Sequence, residues 1–462
     1  MNKPKQPRTR HRRHKAPPKT SEHSAAGLRS RSLALDLLHK VLKQRSGLDE
    51  ALLAAHDDSG LDARDRGFSR LLATTVLRRH GQLRAVVDEH LAKRLPAGGY
   101  RADLNLLLGA AQLLFLDVPA HAVIDTAVSL SRQRKSSARF DKLTNAVLRR
   151  VAESGAETVE RQDAVSLNVP HWLLDGWRQA YGEDSGRAIA AASLREATLD
   201  ITLKCGSADN LDHWARELQA TPLATGSLRR LNDGRVDKLP GFDDGAWWVQ
   251  DAAAALPAGL LGDVRGLVVA DLCAAPGGKT AQLAAAGARV TAVDSSRDRL
   301  ARVRDNLNRL RLDAEIVAED AAAWSPPTAF DAVLVDAPCT ATGTIRRHPD
   351  ILHLKRAEDI EKMASIQSAI LDNAVRMVKP GGHIVYCTCS LERREGEEQI
   401  ERLLRRSSDF ERVALRPGDV RGQSAFITPA GDLRTFPNQL AHDDPALSGL
   451  DGFYACKLKR LA

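Results

Sequence analysis

The pattern of hydrophobic positions divides the chain into three stretches. From about residue 28 to 154 apolar residues recur at helical spacing, as in the stripe Ala34, Leu37, Leu38, Val41 and Leu42. Residues three and four apart share a helix face, so such a stripe marks an amphipathic helix. Similar stripes run through 68–76, 104–116 and 120–130, punctuated by Pro96, Gly98, Gly99 and Pro119. The pattern predicts an all-α domain over 28–155. Residues 156–245 are less regular: Trp172 and Trp177 sit in a helical stretch, and TLDITLKC (198–205) alternates like a strand. A small α+β connecting domain is expected there. From Trp247 onward the period shortens. LVVADLC (267–273), RVTAVD (289–294), EIVAED (315–320), DAVLVDAP (331–338) and HIVYCTC (383–389) read as strands. Helical stretches such as 297–310 and 360–378 lie between several of them. Alternating strands and helices imply a parallel sheet covered on both faces, so 246–462 is expected to be an α/β Rossmann-like domain. Ligands of such sheets bind at the carboxyl ends of the strands.

Length and composition agree with this division. A chain of 462 residues exceeds one ordinary core. Its 43% apolar and 27% charged residues are those of a globular protein. No stretch approaches the roughly 18 to 20 apolar residues of a membrane span, and no apolar core follows the basic N-terminus as in a secretory signal. The net charge of +8 is concentrated: residues 1–31 hold ten Lys or Arg against Glu22, leaving the remainder close to neutral. Pro and Ser fill the gaps, so 1–27 reads as a disordered basic tail able to seek phosphate. The six cysteines (Cys205, Cys273, Cys339, Cys387, Cys389 and Cys456) show no paired CxxC spacing. Individual thiols in a reducing cytoplasm, with neither a disulfide framework nor a metal site, are the simplest interpretation.

The first strand of the α/β region runs into DLCAAPGGKT (271–280). Ala274, Ala275, Gly277 and Gly278 let backbone approach a ligand closely, with Cys273, Pro276 and Lys279 completing the turn. The loop opens a helix whose free N–H groups favour an anionic group. It is neither GxGxxG nor a Walker loop, which argues against a dinucleotide or ATP. Asp294 ends the second strand, where an acid would grip the ribose hydroxyls of an adenosine. Asp320 closes the third, where a carboxylate could accept from an adenine amino group, and Asp336 closes the fourth. Each acid alone is usually a helix cap or turn former. At successive strand ends, together with the loop, they resemble the cofactor site of class I S-adenosylmethionine methyltransferases.

Two further strings, DAPCTATGTIRRHPD (336–350) and YCTCS (386–390), place Cys339 and Cys389 just after strands, wrapped in loop-forming residues. A buried cysteine is ordinarily a small core residue, and packing does not account for this setting. Cys387 is expected to point to the opposite strand face and pack. The strings resemble the RNA 5-methylcytosine methyltransferase family, as do VQDAAA (249–254), RRHPDI (346–351) and DGFYACKL (451–458). The stretches VPAHAVIDTAVSLSR (118–132) and LTNAVLRRV (143–151) resemble the NusB-like RNA-binding domain.

The resemblance implies that Cys389 is the nucleophile and that Cys339 assists enzyme release. It implies S-adenosylmethionine contacts at Cys273–Lys279, Asp294, Asp320 and Asp336. The implied substrate is one cytosine, position 967, of 16S ribosomal RNA, free or partly assembled. Where relatives carry an Arg-x-Asn string in the connecting domain, this chain has TLKC (202–205). Two rivals stand beside this reading. A DNA cytosine methyltransferase would use Cys339 as nucleophile and need a target-recognition domain. A non-catalytic RNA-binding or antitermination factor would need neither an intact cofactor loop nor two crevice cysteines.

Overall fold

The computed structural model describes residues 19–55, 60–204, 208–231 and 234–461. Residues 1–18 and Cys205 lie outside the described residues, and the first helix, Lys19–Leu42, starts within the stretch read as a tail.

The N-terminal region is helical: Lys19–Leu42, Leu48–Ala54, Ala63–Arg78, His80–Glu89, Tyr100–Phe115, Ala120–Arg132 and Asp141–Arg161 are its main elements. The predicted stripe is what packs, with Ala34, Leu37, Leu38 and Val41 buried against Leu72, Leu104, Leu108 and Leu148. Helix Tyr100–Phe115 meets Asp141–Arg161 so closely that a Cβ on Gly109 would lie 2.6 Å from Leu148 Cδ1. Asn105, inside the bundle, is paired: its Nδ2 donates to the Ala127 carbonyl at 2.7 Å. Buried polar groups otherwise carry a desolvation cost.

The connector holds a four-stranded antiparallel sheet, β1 (Leu199–Leu203), β2 (Thr221–Pro222), β3 (Leu228–Arg230) and β4 (Trp247–Val249), in the order β2-β3-β1-β4. A buried pair, Arg229 with Asp200, fixes it to the C-terminal region, because Arg229 Nη1 also donates to the Leu447 and Gly449 carbonyls. Lys204, in the TLKC string, donates to the Leu310 carbonyl at 2.5 Å.

The C-terminal sheet contains β5 (Val268–Leu272), β6 (Arg289–Val293), β7 (Glu315–Val317), β8 (Phe330–Asp336), β9 (Val378–Thr388), β10 (Phe410–Arg412), β11 (Leu433–Thr435) and β12 (Phe453–Arg460). Its order is β10-β12-β9-β8-β5-β6-β7, with β11 paired to β12. β5 to β9 run parallel, and β12 is antiparallel to β9. From β5 the chain steps outward through β6 to β7, then returns to place β8 on the other side of β5. The switch point therefore lies between the carboxyl ends of β5 and β8, where a crevice opens. Apolar clusters fill both faces, one around Val333, Val335 and Tyr386, the other around Val269, Leu334 and Val385.

The string RRHPDI docks the helical region onto this sheet. Arg78 Nη2 donates to the Arg346 carbonyl at 2.9 Å, the Leu48 amide to Asp350 Oδ2 at 3.0 Å, and His353 Nε2 meets the Leu77 carbonyl at 2.8 Å. Among the described residues, no helix is long and apolar enough to cross a membrane.

Candidate active site

A cavity of about 510 Å³ occupies the switch point. That is within the usual range for a small-molecule site, roughly 300–1,000 Å³. Its wall brings together every residue of the loop Cys273–Lys279 with Asp336, Cys339 and Cys389. The loop departs from β5 through Cys273 at φ 62° and turns again at Gly277, φ 101°. A left-handed backbone favours glycine at the second position, and a Cβ there would stand 3.1 Å from Val303 Cγ1. Ala274 and Ala275 add almost no side-chain bulk. Helix Gly278–Ala285 then begins with its N-terminus on the cavity.

Acids are placed differently from one another. Asp336 ends β8 on the cavity wall and accepts from Lys279 Nζ at 2.7 Å. Lys279 is buried and stacks over the Phe453 ring, 4.9 Å from its centroid. Burial, the largest single influence, would lower its pKa, but Asp336 together with Cys387 and Asp271 raises it above the usual value, so the ammonium is secure. Asp294 is buried behind the loop, accepting from the Ala275 amide at 3.3 Å and the Ser296 amide at 3.0 Å. Asp320 lies three residues beyond β7, is exposed, and accepts from the Ala322 amide at 2.9 Å. Neither Asp294 nor Asp320 lines the cavity.

The two thiols meet. Cys339 Sγ and Cys389 Sγ are 3.5 Å apart, on loops leaving β8 and β9. The thiol–thiol contact, and burial after it, holds the Cys389 pKa well above the usual value, so the resting group is a neutral thiol. Cys387 is fully buried, as expected, but on the same sheet face as Cys389, and its thiol donates to Asp336 Oδ1 at 3.6 Å. Residues i and i+2 of a strand share a face, so the expectation of opposite faces is corrected. Among the described residues, no cluster of three or more His, Cys, Asp or Glu is placed to hold a metal.

Sequence reasoning did not place Asp251, Arg347 or Phe453 at the cavity, although all three lie in strings matched to the family. Arg347 pairs through two nitrogens with Asp451, whose carboxyl burial pushes up to about 7. Gln250, which closes the loop's far side, donates to Gln282 Oε1 at 2.8 Å and to the Ala254 carbonyl at 3.2 Å.

Residues 260–459 match the family described as 16S rRNA methyltransferase RsmB/F, and residues 28–153 match the NusB family. A ribosomal RNA small subunit methyltransferase B of Erwinia tasmaniensis is 34% identical over 93% of this chain and 98% of its own. The protein of the same description from Xylella fastidiosa strain Temecula1 is 36% identical over 94% and 98%. The chain belongs to the RsmB/F family. It is therefore an S-adenosylmethionine-dependent rRNA methyltransferase. The crystal structure of PH0851 shares its fold, with a TM-score of 0.73 at 23% identity, covering 94% of this chain and 98% of that one.

The residues present fit the RsmB/F cofactor. The loop is stripped of bulk where a nucleoside must lie close, the cavity has the right volume, and Asp336 and Asp251 on its wall suit a sulfonium cation. Behind the loop, Asp271 is wholly buried, accepts from Thr280 Oγ1 at 2.5 Å, and keeps its Oδ1 without a partner. Burial pushes its carboxyl up to about 7. An acid raised in the folded state stabilises the fold while protonated. That contribution is whole below the unfolded value, near 4, and is lost as pH rises through about 7. Asp271→Asn should therefore gain about 3 °C in Tm on the wild type between pH 5 and pH 8. Scanning calorimetry at both pH values checks this, and a pH-independent difference would contradict it.

Proposed function

We propose that this RsmB/F protein methylates carbon 5 of one cytosine of 16S ribosomal RNA, position 967, through a covalent adduct with Cys389. The observation that carries the reading is the pair of loop thiols, 3.5 Å apart, on the wall of the cavity that also holds the loop Cys273–Lys279. S-adenosylmethionine supplies an electrophilic methyl group there; Asp294 and Asp320 are the proposed holders of its ribose and adenine, although neither lines the cavity wall.

Carbon 5 of cytosine is a poor nucleophile. Addition of the Cys389 thiolate to carbon 6 raises electron density at carbon 5, which then takes the methyl group. Loss of the carbon 5 proton and cleavage of the Sγ–carbon 6 bond restore the aromatic ring. Cys339, in contact with Cys389, is placed to hand a proton to the departing sulfur. Lys279 donates to Asp336 and holds it in place on the cavity wall. Because the resting Cys389 is neutral, its ionisation belongs to the substrate-bound state.

The target base must leave its stack to reach the cavity. Eversion costs a few kcal/mol in a duplex and less in a loop, so free or partly assembled RNA is the substrate form. The basic N-terminal segment and the NusB-like helices supply phosphate contacts. Reduced thiols of this kind belong to the cytoplasm.

The test uses unmodified 16S ribosomal RNA and a transcript carrying 5-fluorocytosine, with labelled S-adenosylmethionine. Fluorine blocks loss of the carbon 5 substituent, so the wild type should accumulate a labelled protein–RNA adduct. Bisulfite sequencing of the unmodified substrate should show protection at position 967 alone. Methyl transfer without any adduct would remove the covalent mechanism, and transfer to another base would remove the substrate assignment.

A further inference from the structure

Beneath the two cysteine loops lies a carboxylate that no step above uses. Glu395 is wholly buried and sits in the short turn Arg393–Glu395 after the Cys389 loop. Its Oε1 accepts from the Thr340 amide at 2.9 Å and from Gln367 Nε2 at 3.0 Å. Its Oε2 accepts from the Ser390 hydroxyl at 2.5 Å and from the Thr340 hydroxyl. Thr340 directly follows Cys339, and Ser390 directly follows Cys389. Gln367, on helix Glu358–Met377, also donates to the Pro338 carbonyl at 2.9 Å, on the other side of Cys339. The backbone of Glu395 is itself held, since the Tyr386 hydroxyl donates to its carbonyl at 2.7 Å.

A carboxylate suits this place for a physical reason. It is an acceptor with about four lone-pair sites, and four donors from two loops and a helix converge here. Buried networks satisfied in this way rigidify what they join, because each lost bond leaves a desolvated partner. Glu395 does not line the cavity. Its effect on chemistry must pass through the thiols.

We propose that Glu395 is a positioning residue that sets the separation and orientation of Cys339 and Cys389. The inference rests on the covalent-adduct reading for its catalytic consequence, while its structural half stands on the thiol pair alone. Misplacing a reacting group by about 1 Å can cost on the order of a hundredfold in rate.

The experiment reads the thiol pair directly. Full-length protein is treated with diamide, a thiol oxidant that takes both thiol hydrogens as a Cys339–Cys389 disulfide forms. The cross-linked peptides are timed by mass spectrometry beside methyl-transfer kinetics. Glu395→Ala should cross-link about tenfold more slowly and lose about a hundredfold in kcat, with KM for RNA and binding of S-adenosylmethionine within about twofold. Glu395→Gln keeps one acceptor oxygen for the Thr340 amide and Gln367, and its amide can donate to the two hydroxyls. It should restore both rates to within about fivefold of wild type. Glu395→Asp keeps the charge but loses reach, and should slow cross-linking even if the alanine variant does not fold. Wild-type cross-linking in both the alanine and aspartate variants would overturn the proposal, whatever happens to kcat. Failure of the wild type to form an RNA adduct would instead defeat the adduct reading, and the cross-linking comparison would still decide whether Glu395 fixes the thiols.

Discussion

Cys389→Ser should lose at least about a thousandfold in methyl transfer, about 4 kcal/mol of transition-state stabilisation, while S-adenosylmethionine still binds. Serine preserves the shape and the loop, so the loss isolates the sulfur. A hydroxyl ionises far less readily than a thiol and is a poorer nucleophile towards carbon 6. Cys339→Ser should behave differently. It leaves the nucleophile in place and weakens the proton donor at the departing sulfur, so an adduct should persist with unmodified RNA. Gel-shift under denaturing conditions, beside labelled methyl transfer, separates the two. The pH dependence carries a second mark of the same group. The Cys339 contact and burial raise the Cys389 pKa, so the wild-type rate should still be climbing between pH 7 and pH 9. If Cys339→Ser were the inactive variant and Cys389→Ser retained transfer, the roles would be reversed and the DNA-type chemistry would apply.

The second large effect is expected at a glycine. Gly343 lies one turn beyond Cys339, where its amide donates to the Cys389 carbonyl at 2.9 Å and its carbonyl accepts from the Gly452 amide at 2.8 Å. Three backbone segments therefore touch at one point. A Cβ on Gly343 would stand 2.0 Å from the Gly452 carbonyl oxygen and 2.8 Å from that of Cys389. Backbone cannot swing aside as a side-chain end can, so Gly343→Ala must push the Cys389 loop away from β12. The cost should be about 3 kcal/mol in unfolding free energy by denaturant titration, at the upper end for overpacking. Transfer activity should fall with it. Gly259→Ala is the control, because nothing lies within 4 Å of its Cβ, and it should stay within about 0.5 kcal/mol of wild type.

Periodicity carried the fold class well, because helices and strands alike bury a face whose spacing is short-range. The helical stripe of Ala34, Leu37, Leu38 and Val41 is the packed one, and all five strands read around the cofactor loop are present. The turn after β5 stood out as a row of small residues, and all of it lines the cavity. What spacing does not carry is where an acid points after its strand stops. Asp336 reaches the cavity, whereas Asp320 follows a strand that ends at Val317 and turns outward. The Cys387 error came from counting one step of the pleat where Cys387 and Cys389 are two steps apart. Glu395 was visible as one acid among several in SLERREGEEQ. Its partner Ser390 opens the same string, but Thr340 and Gln367 come from segments 55 and 28 residues away, and no local pattern announces such a meeting.

The place of β12 in the sheet has a consequence for synthesis. It is antiparallel to β9, bonding His383 to Thr388, and it borders the Cys389 loop through Gly452. Yet its first residue is translated about 64 residues after Cys389. At about 5–20 residues per second, the nascent chain spends roughly 3–13 s with both cysteines made and β12 still absent from the edge of β9. During that interval β9 presents an open edge, and the thiols lack the backbone that holds their loops. Competence for methyl transfer is therefore acquired in one late step, as residues 453–460 close the sheet, rather than domain by domain as the chain emerges.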